Sequence, residues 1–176
     1  MKDLRLSIGF IACLLIFACE SEDSQDLQTP PTLSDDPGVS VIINGDSYSN
    51  YNFNDAVYQI SKPNPNALHI QAGDENGDQI DLFLNGTGGF SNGAIKEIGN
   101  TDENNFMTYA LVRQADTQLN YFATTSGQVV IQSNETHPSK EGFRLISGSI
   151  SLSASTQDAL NTLTVVGTFT DLEYQE

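Results

Sequence analysis

From about residue 38 onward, apolar and polar residues alternate with a period of two. Leu68, Ile70 and Ala72 share one side of such a repeat, and Ile80, Leu82 and Leu84 share one side of the next. This pattern sends one face of an extended strand to a core and the other to water. Between the two runs lies Gly73-Asp74-Glu75-Asn76-Gly77-Asp78, rich in turn formers, so 68–72 and 79–84 read as a hairpin. The same reasoning predicts strands at 39–44, 56–61, 106–113, 119–125, 128–132, 143–154 and 162–172. Asn44-Gly45 should turn the first of these, because both residues tolerate positive φ. In 143–154, Ile146, Gly148, Ile150, Leu152 and Ala154 alternate with serines, while Phe143 and Leu145 fall in the other phase. That break predicts a bulge near Leu145-Ile146. In the last strand Leu163, Val165, Gly167 and Phe169 should point inward. No segment holds a 3.6-residue period for three turns, and 156–161 is at most one helical turn. The expected fold is all-β: a single antiparallel β-sandwich of jelly-roll type, or alternatively a small up-and-down β-barrel, since alternation is the same in both.

The first eighteen residues break this pattern. Lys2 and Arg5 precede an apolar run over 8–18, about half the roughly twenty residues that a spanning helix needs. The run ends in Ile16-Phe17-Ala18-Cys19, which fits a bacterial lipobox: aliphatic at −3, small at −1, then cysteine. The reading is a lipoprotein signal peptide over 1–18, cut before Cys19, with a diacylglycerol and further acyl chains such as palmitate on that cysteine. Several chains together give stable anchoring where one is marginal. An uncleaved anchor, a buried helix and a secretory signal cut elsewhere are the competing readings. Cys13 is lost on cleavage, so the mature chain has no second cysteine for a disulfide, a thiol nucleophile or a thiolate metal site.

Residues 20–37 carry six acids and three prolines and no Lys or Arg. Such a segment buries too little apolar area to offset chain entropy, so 19–37 is expected to be a lipidated, disordered tether ahead of one all-β domain at 38–176. The whole chain holds 7 basic and 23 acidic residues, a net charge of −16. Nucleic acid needs a positive footprint and is an unexpected partner, as is the face of an anionic lipid bilayer. Strong negative charge instead suits solubility at an exposed surface.

These features resemble the small uncharacterised β-domain lipoproteins of Bacteroidota, especially flavobacterial ones. The resemblance lies in the lipobox at Cys19 and the acids Glu20, Glu22 and Asp23 behind it. It continues in Val41-Ile42-Ile43-Asn44-Gly45 followed by Tyr48, in the hairpin from Leu68 to Leu84, and in Ser147-Gly148-Ser149-Ile150 and Val166-Gly167-Thr168-Phe169. It implies an outer-membrane lipid anchor, with the domain at the cell surface or alternatively on the periplasmic face. It implies no activity and no catalytic residues.

Candidate chemistry is sparse. Asp74, Asn76 and Asp78 have the alternate spacing that opens an EF-hand calcium loop, but Gln79 stands at its sixth position and Asn85 at its twelfth. A hairpin turn is the plainer reading, with calcium a weak alternative at those three residues. His69 lies on a strand and His137 in a loop, neither in a zinc-binding pattern. A serine triad would need one of them as base and has no Gly-x-Ser-x-Gly elbow. Gly86-Thr87-Gly88-Gly89-Phe90 lacks the Lys-Ser/Thr of a phosphate loop. Asn85-Gly86-Thr87 and Asn134-Glu135-Thr136 match the glycosylation sequon by chance in this setting. Tyr48, Tyr51, Phe53 and Tyr58 read as core and edge cover, or as a sugar-stacking platform. Two function classes remain. One is a lipid-anchored binding or interaction module for a polysaccharide or an envelope protein, without cofactor or turnover. The other is an envelope carbohydrate hydrolase with an unrecognised carboxylate pair. An aromatic row exposed on one sheet would favour glycan binding, and a deep pocket with two close carboxylates would favour the hydrolase.

Overall fold

The computed structural model describes residues 32–176. The leader, Cys19 and the acids of the tether up to Asp26 lie outside the described residues. Eleven strands follow one another: β1 (Gly38–Gly45), β2 (Tyr48–Asn54), β3 (Val57–Ser61), β4 (Leu68–Gly73), β5 (Gln79–Leu84), β6 (Ile95–Glu97), β7 (Tyr109–Arg113), β8 (Asn120–Ala123), β9 (Gly127–Thr136), β10 (Phe143–Ser155) and β11 (Thr162–Gln175). Among the described residues there is no helix. All strands join one antiparallel sheet in the order β2-β1-β11-β10-β8-β7-β5-β4-β3, with β9 pairing β10 and β6 beside that path. The sheet curls into a half-barrel, so the fold class is the expected all-β one.

The long strand β10 is the hub. One edge pairs with β11 from Phe143↔Gln175 to Ser155↔Thr162. The other edge pairs with β9 along most of its length and with β8 at Ser155↔Phe122. The expected irregularity falls one to two residues later than Leu145-Ile146, and its extra residues sit on the neighbours. Thr170 and Asp171 of β11 stand opposite Ser147, and Gln132 is the extra residue on β9. Ser147 holds the β11 bulge: its hydroxyl lies 3.1 Å from Asp171 Oδ1 and accepts the Asp171 amide at 2.9 Å. The bulge shifts the inward phase of β11 from Leu163, Val165 and Phe169 to Leu172 and Tyr174, all buried. Gly148 sits beneath Phe169, where an added Cβ would lie 2.5 Å from the ring. A side chain there would overpack the core, a change that typically costs about 1–3 kcal/mol.

The concave side is filled. Ile43, Phe53, Leu82, Tyr121, Ile131 and Ile146 are among its fully buried side chains. The hairpin β4–β5 appears where expected, with Ile70↔Leu82 and Ala72↔Ile80 in register. Two strands depart from expectation. β2 is a strand despite its asparagines, because its backbone pairs with β1 from Ser40↔Asn54 to Gly45↔Tyr48. The turn before it is Asp46-Ser47, two residues beyond the expected Asn44-Gly45, with Asp46 at φ 50°. β6 is three residues long and turns Ile95 outward and Lys96 inward.

Candidate functional site

The 74–78 turn uses its acids internally. Asp74 Oδ1 accepts the amides of Asn76 at 2.9 Å and Asp78 at 3.0 Å, and its Oδ2 accepts the Tyr51 hydroxyl. Asp78, 6% exposed, accepts the Tyr48 hydroxyl at 2.8 Å and the Ala115 amide at 2.8 Å. Asn76 donates its side-chain amide to Tyr51. The three calcium candidates therefore sit together in one turn whose carboxylates already accept five donors. A third pair, Tyr121 and Asp46, ties β8 to the β1–β2 turn, and Gln114 donates to Ser47 at 2.6 Å. Tyrosine–aspartate bonds thus tie the 74–78 turn to β2 and the β1–β2 turn to β8, and the β7–β8 turn joins both through the Ala115 amide on Asp78 and Gln114 on Ser47. Burial and the adjacent carboxylates raise all three phenols: Tyr51 up to about 12, Tyr48 and Tyr121 further. Tyr48 and Phe53 are core residues, while Tyr51 and Tyr58 pack against the core from its edge.

The glycine-rich loop after β5 has the reverse polarity of a phosphate cradle. The carbonyls of Asn85 and Thr87 face inward and accept Lys96 Nζ at 2.9 and 2.7 Å. The Phe90 ring covers the ammonium at 4.0 Å. Lys96 is 1% exposed, and burial lowers its ammonium to about 8 against the opposing charge of Asp102. Asn85 is a second anchor, donating to the carbonyls of Asn100 and Phe106 at 2.8 Å each. The signal for Lys96 was its phase: it falls between Ala94 and Ile98, both packed with the core.

His137 is a loop clamp. Its Nδ1 accepts the amides of Ser139 and Lys140 at 3.1 Å, and its Nε2 lies 3.1 Å from Glu173. The Ser139 hydroxyl is 3.5 Å from Nδ1, but that lone pair is already engaged, so this ring has no free base for a serine. Among the described residues no group of three or more His, Cys, Asp or Glu side chains has metal-holding geometry.

Two features face outward. The first is an aromatic row on the convex side of β4, β5 and β7. His69↔Phe83 and Phe83↔Tyr109 are register partners, and all three side chains alternate with buried residues. Phe83 and Tyr109 stack at 5.4 Å with planes 3° apart, and His69 and Phe106 flank Phe83 at 6.1 Å each. Phe106 is 41% exposed, and Phe122 on β8 is another exposed aromatic. With strands about 4.8 Å apart, the row runs on the order of 10 Å across the sheet. In the sequence His69 stands as a lone histidine on a strand. Its partners Phe83 and Tyr109 were legible as outward residues, but not as neighbours, because register joins them.

The second is a cleft of about 400 Å³. It is bordered by Lys62 and Pro65 after β3, by Phe90 to Asn92, by Ser133 to Glu135 of β9, and by Arg144, Tyr174 and Glu176. Asn134 organises it. Its side chain donates to the Phe90 carbonyl at 3.0 Å and accepts from Arg144 Nε at 2.9 Å and the Tyr174 hydroxyl at 3.1 Å. Its carbonyl accepts Arg144 Nη2 at 2.6 Å. Both sequon asparagines, Asn85 and Asn134, are therefore internal hydrogen-bond hubs. No protein-family model, curated protein or solved structure matches the chain.

Proposed function

We propose that this protein is a carbohydrate-binding module of the cell envelope, held there by lipid on Cys19, that binds without turnover. The aromatic row His69–Phe83–Tyr109, extended by Phe106, is the observation that carries the reading. Outward aromatic side chains on a rigid sheet offer apolar contact at little conformational cost, which suits the hydrophobic patches of a sugar ring. The row lies on β4, β5 and β7, each paired with a strand on both sides, so its spacing is fixed before a ligand arrives. The net charge of −16 supports a soluble, surface-facing role and opposes a nucleic-acid partner.

The test is thermal unfolding of the full chain in neutral detergent against a panel of neutral and acidic polysaccharides. A ligand at 100 times its Kd should raise the midpoint by roughly 6–10 °C. No shift with any glycan would refute the carbohydrate reading. The anchor has its own test: Cys19→Ala should abolish acyl labelling and membrane fractionation, and retention in the membrane fraction would refute it. A hydrolase is the second reading, because Glu135 and Glu176 both border the cleft. Release of reducing ends from any glycan of the panel would establish it.

A further inference from the structure

The chain has seven basic residues, and five of them lie in the described part. Lys96, buried, and Lys140, paired with Glu173, serve the interior and a loop. Two of the remaining three, Lys62 and Arg144, border the same cleft. In so acidic a chain this convergence gives one local site where an anion meets cations.

The guanidinium of Arg144 is held ready. Asn134 takes its Nε and Nη2, which fixes the plane of the group. The third nitrogen, Nη1, meets only Glu176 Oε1 at 3.6 Å. Arg144 is 25% exposed and Glu176 62% exposed, so this pair is a long, solvated contact worth little to stability. Glu176 thus marks where a carboxylate can sit and holds the place weakly. Among the described residues Lys62 makes no ion pair. Apart from Glu135, the rest of the wall is uncharged, with Ser91, Asn92 and Ser133 beside the Phe90 and Tyr174 rings. Hydroxyl and amide partners together with an aromatic surface fit a sugar ring, and an arginine with a free edge fits a carboxylate on it. Lys96 supports the arrangement from behind, because its ammonium packs on the Phe90 ring.

We propose that this cleft is a subsite for a carboxylate-bearing sugar unit, a uronate, with Arg144 as the carboxylate partner and Lys62 as a supporting charge. The ligand carboxylate displaces Glu176 from Nη1. The inference rests on the carbohydrate-binding reading and adds an acidic unit at a second location. Ser61 pairs with His69, so the Lys62 side of the cleft begins one residue from the aromatic row.

The test is calorimetric titration of the full chain in neutral detergent with trigalacturonate and with its neutral methyl ester. The expected result is at least tenfold tighter binding of the free acid. Arg144→Gln should abolish that preference, leaving both forms equal. Lys62→Gln, a change at an exposed position, should reduce the preference several-fold with an unchanged unfolding midpoint. Equal affinity of the parent protein for acid and ester would overturn the subsite and leave the carbohydrate reading standing. Retention of the preference in Arg144→Gln would overturn it too. Equal competition by tetraglutamate would overturn it in favour of an acidic peptide. Silence towards both trisaccharides would overturn it as well, and silence across the neutral panel besides would remove the carbohydrate reading itself.

Discussion

The 74–78 turn and the cleft around Asn134 draw on the same kinds of side chain and use them in opposite ways. At the turn, acids are consumed. Asp74 and Asp78 each accept a tyrosine hydroxyl, and the amides of Asn76, Asp78 and Ala115 fill their other oxygens. At the cleft, a cation is held by two nitrogens and left nearly free at the third. A saturated network rigidifies and specifies a fold, whereas an unsaturated one leaves capacity for a ligand. An acid-rich motif is therefore a poor guide to the site here, and a scarce arginine is a better one.

The sharpest way to break the comparison is to unsaturate the turn. Asp78→Ala leaves the Tyr48 hydroxyl and the Ala115 amide without their acceptor in a buried place. Such losses cost about 1–3 kcal/mol each, so the unfolding midpoint should fall by on the order of 10 °C. An unchanged midpoint would show that the tyrosine–aspartate bonds do not carry stability. Alkaline titration probes the same network without mutation. A phenol whose pKa is raised on folding binds its proton more tightly in the native state. Its stabilisation is complete below the unfolded value near 10 and is lost as pH rises through about 12 for Tyr51. Stability should fall steeply above pH 10, with tyrosine ionisation at 295 nm tracking unfolding. Free titration of every tyrosine near pH 10 in the folded protein would contradict this.

Lys96 has the opposite sign. Its ammonium is lowered from 10.5 to about 8, so the unfolded chain binds the proton more readily between those values. Its contribution to stability therefore improves as pH rises from 8 towards 10.5 and is least favourable below 8. The stability difference between the parent protein and Lys96→Met should shift towards the parent over that range. A difference that is flat with pH would mean the lysine is not buried as described. The smallest effect on stability belongs to the ligand-facing residues. Phe106→Ala should change the midpoint by no more than about 3 °C, because the ring is 41% exposed, whereas Arg144→Gln, which removes two hydrogen bonds to Asn134, should lower it by several degrees, on the order of 5 °C. A larger loss at either would move it from the binding surface into the framework.

Much of the framework was legible because it depends on local alternation. The hairpin β4–β5 and the inward set Leu163, Val165 and Phe169 follow from a period of two. β2 was not legible, since Tyr-Ser-Asn-Tyr-Asn-Phe-Asn has low strand propensity and is extended only because β1 supplies its partners. The bulge was sensed from the phase break in β10, yet it is built by Thr170-Asp171 and Gln132 on strands that sequence could not place beside it. The cleft was invisible for the same reason. Lys62 is far from Asn134 and Arg144 in the chain, and Asn134 carried only a misleading sequon. Phe83 and Tyr109 were each readable as outward aromatic residues, but their stacking is a fact of register.

The most direct test of the binding account is a glycan array read side by side with the parent protein and a Phe83→Ala/Phe106→Ala double variant, both as full chains in neutral detergent. The account predicts that the parent retains at least one polysaccharide and that the double variant loses it while unfolding within a few degrees of the parent. A parent that retains nothing, or a double variant that retains everything the parent does, would contradict it.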